Sequence, residues 1–247
     1  MAQVFSVVDL GTNTFQLLVA QPKSDFPGIN ILYQSQVPVT LGKGAMETGE
    51  IQPDALQRAF HALNDFKSKA LEFGSQESPI MCIGTSILRR ATNAHALIAH
   101  IESMGMGVQI ISGLEEAELI HLGIVHSLPQ PWTKRSLVMD IGGGSVEFIL
   151  FKGQEVLYRV SLEIGGLRLK SLFSVDKEFH LSVLPDLDAY VSKEMKPLLE
   201  ACREAKPKVL IGAAGAFETI LDLENRPGQA QASCEINLKT FLQHKTN

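Results

Sequence analysis

The chain has 247 residues, of which 45% are hydrophobic, 20% charged and 6% aromatic, a composition that fits an ordinary globular protein of about two domains. Lys and Arg number 22 against 27 Asp and Glu, for a net charge of −5, which argues against a surface that coats polyanions without specificity and leaves room for a focused anion pocket. Cys82, Cys202 and Cys234 are too few and too widely spaced for a disulfide framework or a zinc site. No run of about 18 apolar residues reads as a membrane span, and Met1 to Val4 lack a charged leader. These features predict a cytoplasmic protein with no nucleic-acid and no membrane partner.

Val4 to Asp9 is short, β-branched and apolar, as a buried strand should be, and it ends in a carboxylate. Leu10-Gly11-Thr12-Asn13-Thr14 then makes a tight turn into a second strand over 15–20, which puts Asp9, two hydroxyls and backbone N–H groups at a hairpin tip. A third strand is expected within 29–39. After Leu41-Gly42-Lys43-Gly44, Pro53 opens a helix whose apolar face is Leu56, Phe60, Leu63, Phe66 and Ala70, with Gly74 as its stop. Ile80 to Ile83 reads as a strand, Asn93 as the cap of a helix through Ile101, and Val108 to Ile111 as another strand. A helix begins near Glu115 and carries Leu119, Ile120 and Ile124.

The proline-rich segment Leu128 to Thr133 breaks that pattern and marks a boundary and a candidate hinge between domains at 1–127 and 128–247. Beyond it the opening pattern returns. Leu137 to Val146 repeats strand, Asp, apolar residue, Gly, two turn residues, hydroxyl and strand, with Asp140 in the place of Asp9, Gly142 in that of Gly11 and Ser145 in that of Thr14. Two such matches in register point to an internal duplication. Strands over 147–151 and 156–162, a helix through Tyr190 and Met195, a strand at 209–211 and a turn at Gly212 to Ala216 complete the second half.

Two Asp-x-Gly turns facing each other would surround one space with carboxylates and backbone donors, an arrangement suited to a phosphorylated ligand with a divalent metal. Gly142, Gly143 and Gly144 let the backbone approach such a ligand without side-chain obstruction, although glycine turns also serve simply to make tight hairpins. Glu115 and Glu116 either complement the dipole of their helix or bring Glu116 into the cleft to activate a water. Arg89 and Arg90 can meet phosphate oxygens bidentately or form a solvated pair. Lys43 is an anion clamp or an exposed loop charge. The seven histidines have no metal-binding spacing and read as surface or packing residues. Gly-x-Ser-x-Gly and Walker-type loops are absent from the sequence.

These residues resemble the exopolyphosphatase and guanosine pentaphosphate phosphohydrolase family, part of the actin and sugar-kinase superfamily. Asp9-Leu10-Gly11-Thr12-Asn13-Thr14 is similar to its Asp-x-Gly-Ser-Asn-Ser loop, and Thr85 through Arg89 to Asn93 to its Thr-x-Ala-x-Arg-x-Ala-x-Asn segment. Ser112 to Ala117 is similar to its Ser-Gly-x-Glu-Glu-Ala motif, and Asp140 to Glu147 to its second phosphate loop. The resemblance implies an α/β fold of two ribonuclease H-like domains, with mixed sheets flanked by helices and an active site in the interdomain cleft. It further implies Glu116 as catalytic base, Asp9 in the catalytic metal or water network, and Asp140 with Glu147 at a divalent metal, Mg²⁺ or Mn²⁺. Arg89 would bind phosphate, while Thr12, Asn13, Thr14, Gly143, Gly144 and Ser145 would line its path. The implied reaction is hydrolysis of a terminal phosphoanhydride of inorganic polyphosphate or guanosine pentaphosphate, by in-line attack of water. A homodimer is compatible with the resemblance.

Departures stand beside the likeness. Gln16 and Thr40 replace common arginines, and Gly212 to Ala216 has lost the hydroxyls of the family's corresponding turn. The chain also ends some tens of residues early, which predicts a shortened second domain. A phosphotransferase of the same superfamily and a non-catalytic sensor of polyphosphate or of guanosine tetraphosphate and pentaphosphate are the competing expectations.

Overall fold

The computed structural model describes residues 3–23, 28–75, 80–128, 133–174, 180–213, 215–217 and 219. In the first half, β1 (Phe5–Leu10), β2 (Thr14–Pro22) and β3 (Ile29–Pro38) form an antiparallel meander. Next to β1 lies β4 (Ile80–Gly84), parallel to it, and next to β4 lies β5 (Gly107–Ile110), also parallel, so the sheet order is β3-β2-β1-β4-β5. Parallel neighbours need crossovers. The first is made by α1 (Ala45–Thr48) and α2 (Pro53–Glu72), the second by α3 (Ser86–Arg90) and α4 (Ala94–Ser103). Ala55, Ala59, Ala62, Leu63, Phe66 and Ala70 recur at helical spacing along α2 and are buried against Val8, Leu10, Leu17, Val19 and Cys82. The short helices α1 and α3 carry too little periodic pattern to be read from the sequence.

Asn93 occupies the cap position of α4, but its side chain does another task. Its Oδ1 accepts from Ile51 N at 2.8 Å and its Nδ2 donates to Ile51 O at 2.9 Å, which ties α4 to the segment entering α2.

In the second half, β6 (Ser136–Ile141), β7 (Val146–Lys152) and β8 (Glu155–Leu162) repeat the meander, and β9 (Val209–Ala213) lies parallel to β6. The sheet order is β8-β7-β6-β9. The duplication reaches the pairing register. Asp9 pairs with Gln16 as Asp140 pairs with Glu147, and the second pairing of each meander shifts register at the same place, Val19/Ala20 and Leu150/Phe151.

Between β8 and β9 run α6 (Gly166–Phe173), a 3₁₀ turn at Leu181–Val183, α7 (Leu184–Glu194) and α8 (Lys196–Ala205). The single helix expected through Tyr190 and Met195 is therefore two. Pro197 lies in the first turn of α8, where its missing N–H is harmless but its ring forbids continuation of α7.

The helix α5 (Gly113–Ser127) follows β5 in the chain but packs on the second sheet. Ala117 is buried with Val138, Ile149 and Phe151, and Ile120 and Ile124 join them. His121 of the same helix is buried edge-on to Phe151, and burial holds its pKa below the usual histidine value. Side chains alternate along a strand, so Glu147 shares the α5 face with Ile149 and Phe151, and Asp140 shares it with Val138. The expected hinge over 129–132, the middle of the turn at Gly212 to Ala216, and the region after 219 lie outside the described residues.

Thr40 has a positive φ of 52°, a conformation costly for a β-branched side chain. It is held by Arg58, whose Nη2 donates to Thr40 Oγ1 at 3.0 Å and whose Nε donates to Val39 O at 2.9 Å. Thr40→Asn keeps an acceptor and relieves the backbone, so it should raise stability by roughly 1 kcal/mol. An unchanged or lowered melting temperature in calorimetry would refute the strain.

Candidate functional site

The two glycine loops are built alike. A Cβ on Gly11 would lie 2.7 Å from Thr14 O and one on Gly142 would lie 3.1 Å from Ser145 O, so the first turn closes too tightly for a side chain and the second leaves one little room. Their carbonyls are drawn backwards. In the first loop, Gly42 N donates to Thr12 O at 2.9 Å, and Val39 N and Thr40 N donate to Asn13 O at 2.9 and 2.7 Å. In the second, Gly166 N reaches Gly142 O, Leu167 N and Arg168 N reach Gly143 O, and Gly165 N reaches Gly144 O. Arg168 Nε adds a bond of 3.0 Å to Gly144 O. With these carbonyls engaged, and with Gly142 N donating to Ser145 O at 3.0 Å, the other loop amides are left to present donors.

The loops touch. A Cβ on Gly143 would come within 3.1 Å of Thr12 Cγ2, and one on Gly144 would meet Ser86 Oγ. Thr12, Gly144 and Ser145 are buried, Gly11, Thr14, Gly142 and Gly143 are half-buried, and Asn13 and Lys43 are exposed.

Around the loops stand Asp9, Glu116, Asp140 and Glu147. The charge of Glu116 acts on each of the other three carboxyls, and that of Asp140 on Asp9 and Glu147, so the four lie within electrostatic reach of one another. Burial first, and this repulsion second, push Asp9 up to about 7, Asp140 to about 6 and Glu147 to about 7. Glu147 is only 2% exposed and accepts from Ser161 Oγ at 2.7 Å. Burial also raises Glu116, and Arg89 opposes the rise.

The paired glutamates divide their duties. Glu115 closes a capping box with Ser112: its backbone N–H donates to Ser112 Oγ at 3.2 Å, and Ser112 N donates to its Oε2 at 2.7 Å. Glu116 instead points inward, where Arg89 Nη1 binds its Oε2 at 2.9 Å and Ile111 O at 2.8 Å. Arg89 Nη2 is buried with no hydrogen-bond partner among the described residues, a donor poised for an oxyanion. The arginine pair divides as well, since Arg90 is half exposed and turns to Glu163.

Four carboxylates against one inward arginine leave an excess of negative charge on hard oxygens, which fits a divalent cation such as Mg²⁺. No group of three or more His, Cys, Asp and Glu among the described residues converges tightly enough to cage a metal. The donor set therefore suits an ion held by one or two carboxylates, with waters and phosphate oxygens completing its shell.

The sequence alone does not single out Ser161, Gly165 or Arg168, and gives Gly113 only as part of the Ser112 to Ala117 motif. A Cβ on Gly113 would collide with Ser161, and one on Gly165 would lie within 2.6 Å of the backbone of Gly143, Gly144 and Ser145. Gly113→Ala should displace the start of α5, and Glu116 with it, and cost about tenfold to a hundredfold in activity. Wild-type activity in this variant would show that α5 can shift without consequence.

The sequence profile of the Ppx/GppA phosphatase family matches residues 18–246. A guanosine-5′-triphosphate,3′-diphosphate pyrophosphatase of Vibrio parahaemolyticus is 27% identical over 237 residues, covering 96% of this chain and 46% of that protein. The chain thus spans about half the length of this curated relative. The crystal structure of an exopolyphosphatase from Cytophaga hutchinsonii superposes with a TM-score of 0.87 at 32% identity, over 98% of this chain and 78% of the other. A Ppx/GppA enzyme of Aquifex aeolicus shares the fold, with a TM-score of 0.71 at 24% identity over 94% of this chain and 75% of the other. The two mixed sheets flanked by helices are the two-domain actin-like ATPase fold expected from the sequence, and the chain belongs to the Ppx/GppA phosphatase family.

Proposed function

We propose that the chain hydrolyses the terminal phosphoanhydride of a polyphosphorylated substrate, inorganic polyphosphate or guanosine pentaphosphate, in the cleft between its two glycine loops. The observation that carries this reading is the convergence of Glu116, Asp9, Asp140 and Glu147 beside two loops whose carbonyls are turned away. Loop amides and Arg89 Nη2 receive the terminal phosphoryl group, with Thr12, Asn13, Thr14 and Ser145 along its path. Lys43, exposed on its loop, is left to meet phosphates further along the substrate.

Glu116 is the base. Its Oε2 is held by Arg89, which leaves Oε1 to take a proton, and its raised pKa brings proton affinity closer to neutral pH. As a water oxygen forms its bond to the terminal phosphorus, its proton passes to Glu116. The anhydride P–O bond breaks, and its electron pair leaves with the bridging oxygen. Asp140 and Glu147 are the carboxylates assigned to a divalent cation, and Asp9 to the water network around it. Such an ion would neutralise phosphate charge as it builds on the leaving oxygen.

No helix among the described residues is long and apolar enough to cross a membrane, and Cys82 and Cys202 are free thiols; we assign the protein to the cytoplasm on its cysteine usage. The test is phosphate release with Mg²⁺ from long-chain polyphosphate and from guanosine pentaphosphate, side by side. Release from either supports the hydrolase and the better substrate names it. Tight binding without release selects a sensor, and labelled phosphate on an acceptor selects a phosphotransferase.

A further inference from the structure

Two guanidinium groups meet where the halves of the chain touch, around a carboxylate, Glu163, whose charge reaches Glu116 but which has no part in the chemistry assigned above. Arg90 ends α3 and Arg168 lies in the first turn of α6, and both reach Glu163, just after β8. Arg168 Nη2 is 2.8 Å and Arg90 Nη1 is 3.3 Å from the same carboxylate oxygen, Oε2. That oxygen is buried and has no aligned hydrogen bond among the described residues. One carboxylate thus balances two cations without satisfying the directional preference of either, and the cluster keeps a net positive charge.

Beside the cluster is a cavity of about 160 Å³ between α1, α3 and α6, with Met46, Ile87 and Ala91 as apolar lining and Arg90 and Arg168 as its charged wall. It lies on the carbonyl side of the second glycine loop, where Arg168 Nε holds Gly144 O. Ser86 and Met46 stand against the place where a Cβ of Gly144 would be, and Thr12 stands against Gly143.

We propose that this cavity is a second oxyanion site, which takes a free phosphate-class anion between Arg90 and Arg168 in place of Glu163. A tetrahedral oxyanion offers several acceptor oxygens and can meet both guanidinium forks in line, which the single Glu163 oxygen does not. The anion joins α3 of the first half to α6 of the second, and Arg168 passes its presence to Gly144. Phosphate released by the proposed reaction belongs to this class, so the site would let product act on the loop that binds substrate.

Labelled inorganic phosphate in equilibrium dialysis at fixed ionic strength tests the site with three chains. Wild type is expected to show a class of phosphate binding that Arg90→Gln weakens by about tenfold or more and that Glu163→Gln, by removing the competing carboxylate, tightens several-fold. Arg90 is 53% exposed at its side chain, so its replacement should leave folding intact. Unchanged phosphate binding in Arg90→Gln, or weaker binding in Glu163→Gln, would show a merely structural ion cluster and overturn the proposal. Tripolyphosphate that binds one to one with Arg90-dependent affinity, in the absence of a separate phosphate class, would assign the arginines to the substrate chain and overturn the free-anion site. A protein that releases no phosphate from polyphosphate or guanosine pentaphosphate, yet keeps Arg90-dependent phosphate binding, would defeat the catalytic reading and leave this one standing.

Discussion

Glu116→Gln is expected to lower turnover by about a thousandfold, within the range of roughly 10² to 10⁴ that a positioned base supplies, while phosphate binding stays near wild type. The amide is isosteric and its oxygen can still accept from Arg89 Nη1, now 2.9 Å from Glu116 Oε2, so Arg89 keeps its place and its free Nη2. What is lost is the proton acceptor. A second consequence follows from their electrostatic reach: the charge of Glu116 raises Asp9, Asp140 and Glu147, so its neutralisation should move all three carboxyls down toward ordinary values. Carboxyl titration by NMR reads that shift directly. Wild-type turnover in the variant would move the base to another carboxylate, whereas lost turnover together with lost phosphate binding would make Glu116 a strut for Arg89 instead.

Much of this site is legible in the sequence because the loops are short-range objects. Asp9 and Asp140 each follow a short apolar run and precede a Gly turn, and the register of both hairpins follows from that local chemistry. The division between Glu115 and Glu116 is not legible, since either could cap the helix until Ser112 is seen to pair with Glu115. Nor is the placement of α5. Its apolar positions announce a helix, but only tertiary packing decides that Ala117, Ile120 and Ile124 lie on the second sheet, and that choice carries Glu116 to Glu147. Arg168 is hidden for a similar reason, because its bond to Gly144 O spans 24 residues and leaves no periodic trace. Where side-chain role depends on long-range approach, composition and spacing underdetermine it.

The carboxylate cluster should make the metal-free protein less stable at pH 8 than at pH 5, the reverse of the usual behaviour of paired carboxylates. Asp9, Asp140 and Glu147 have folded values of about 7, 6 and 7, above their ordinary 3.8, 3.8 and 4.5. Between these limits the unfolded chain has released protons that the folded chain still binds, so stability falls as pH rises and the full penalty is reached above about pH 7. A shift of this size corresponds to on the order of 3 kcal/mol for one group, and the three act on one another, so the cluster as a whole should cost a few kcal/mol. Asp54 and Glu115, whose pKa values are lowered by Arg58 and by the Ser112 backbone, work in the opposite sense only at pH values below the ordinary carboxylate range, while His121, lowered by burial, adds stability as pH rises through the histidine range and offsets part of the fall. Asp140→Asn removes one charge from the crowd and should be more stable than wild type at pH 8, with the advantage fading by pH 5. Added Mg²⁺ should raise the wild-type melting temperature at pH 8, do little at pH 5, and help Asp140→Asn less, because charge relief and cation binding draw on the same repulsion. A wild-type melting temperature flat from pH 5 to 8, or an Asp140→Asn variant no more stable at pH 8, would mean that water or an unfolded-state effect already relieves the carboxyls.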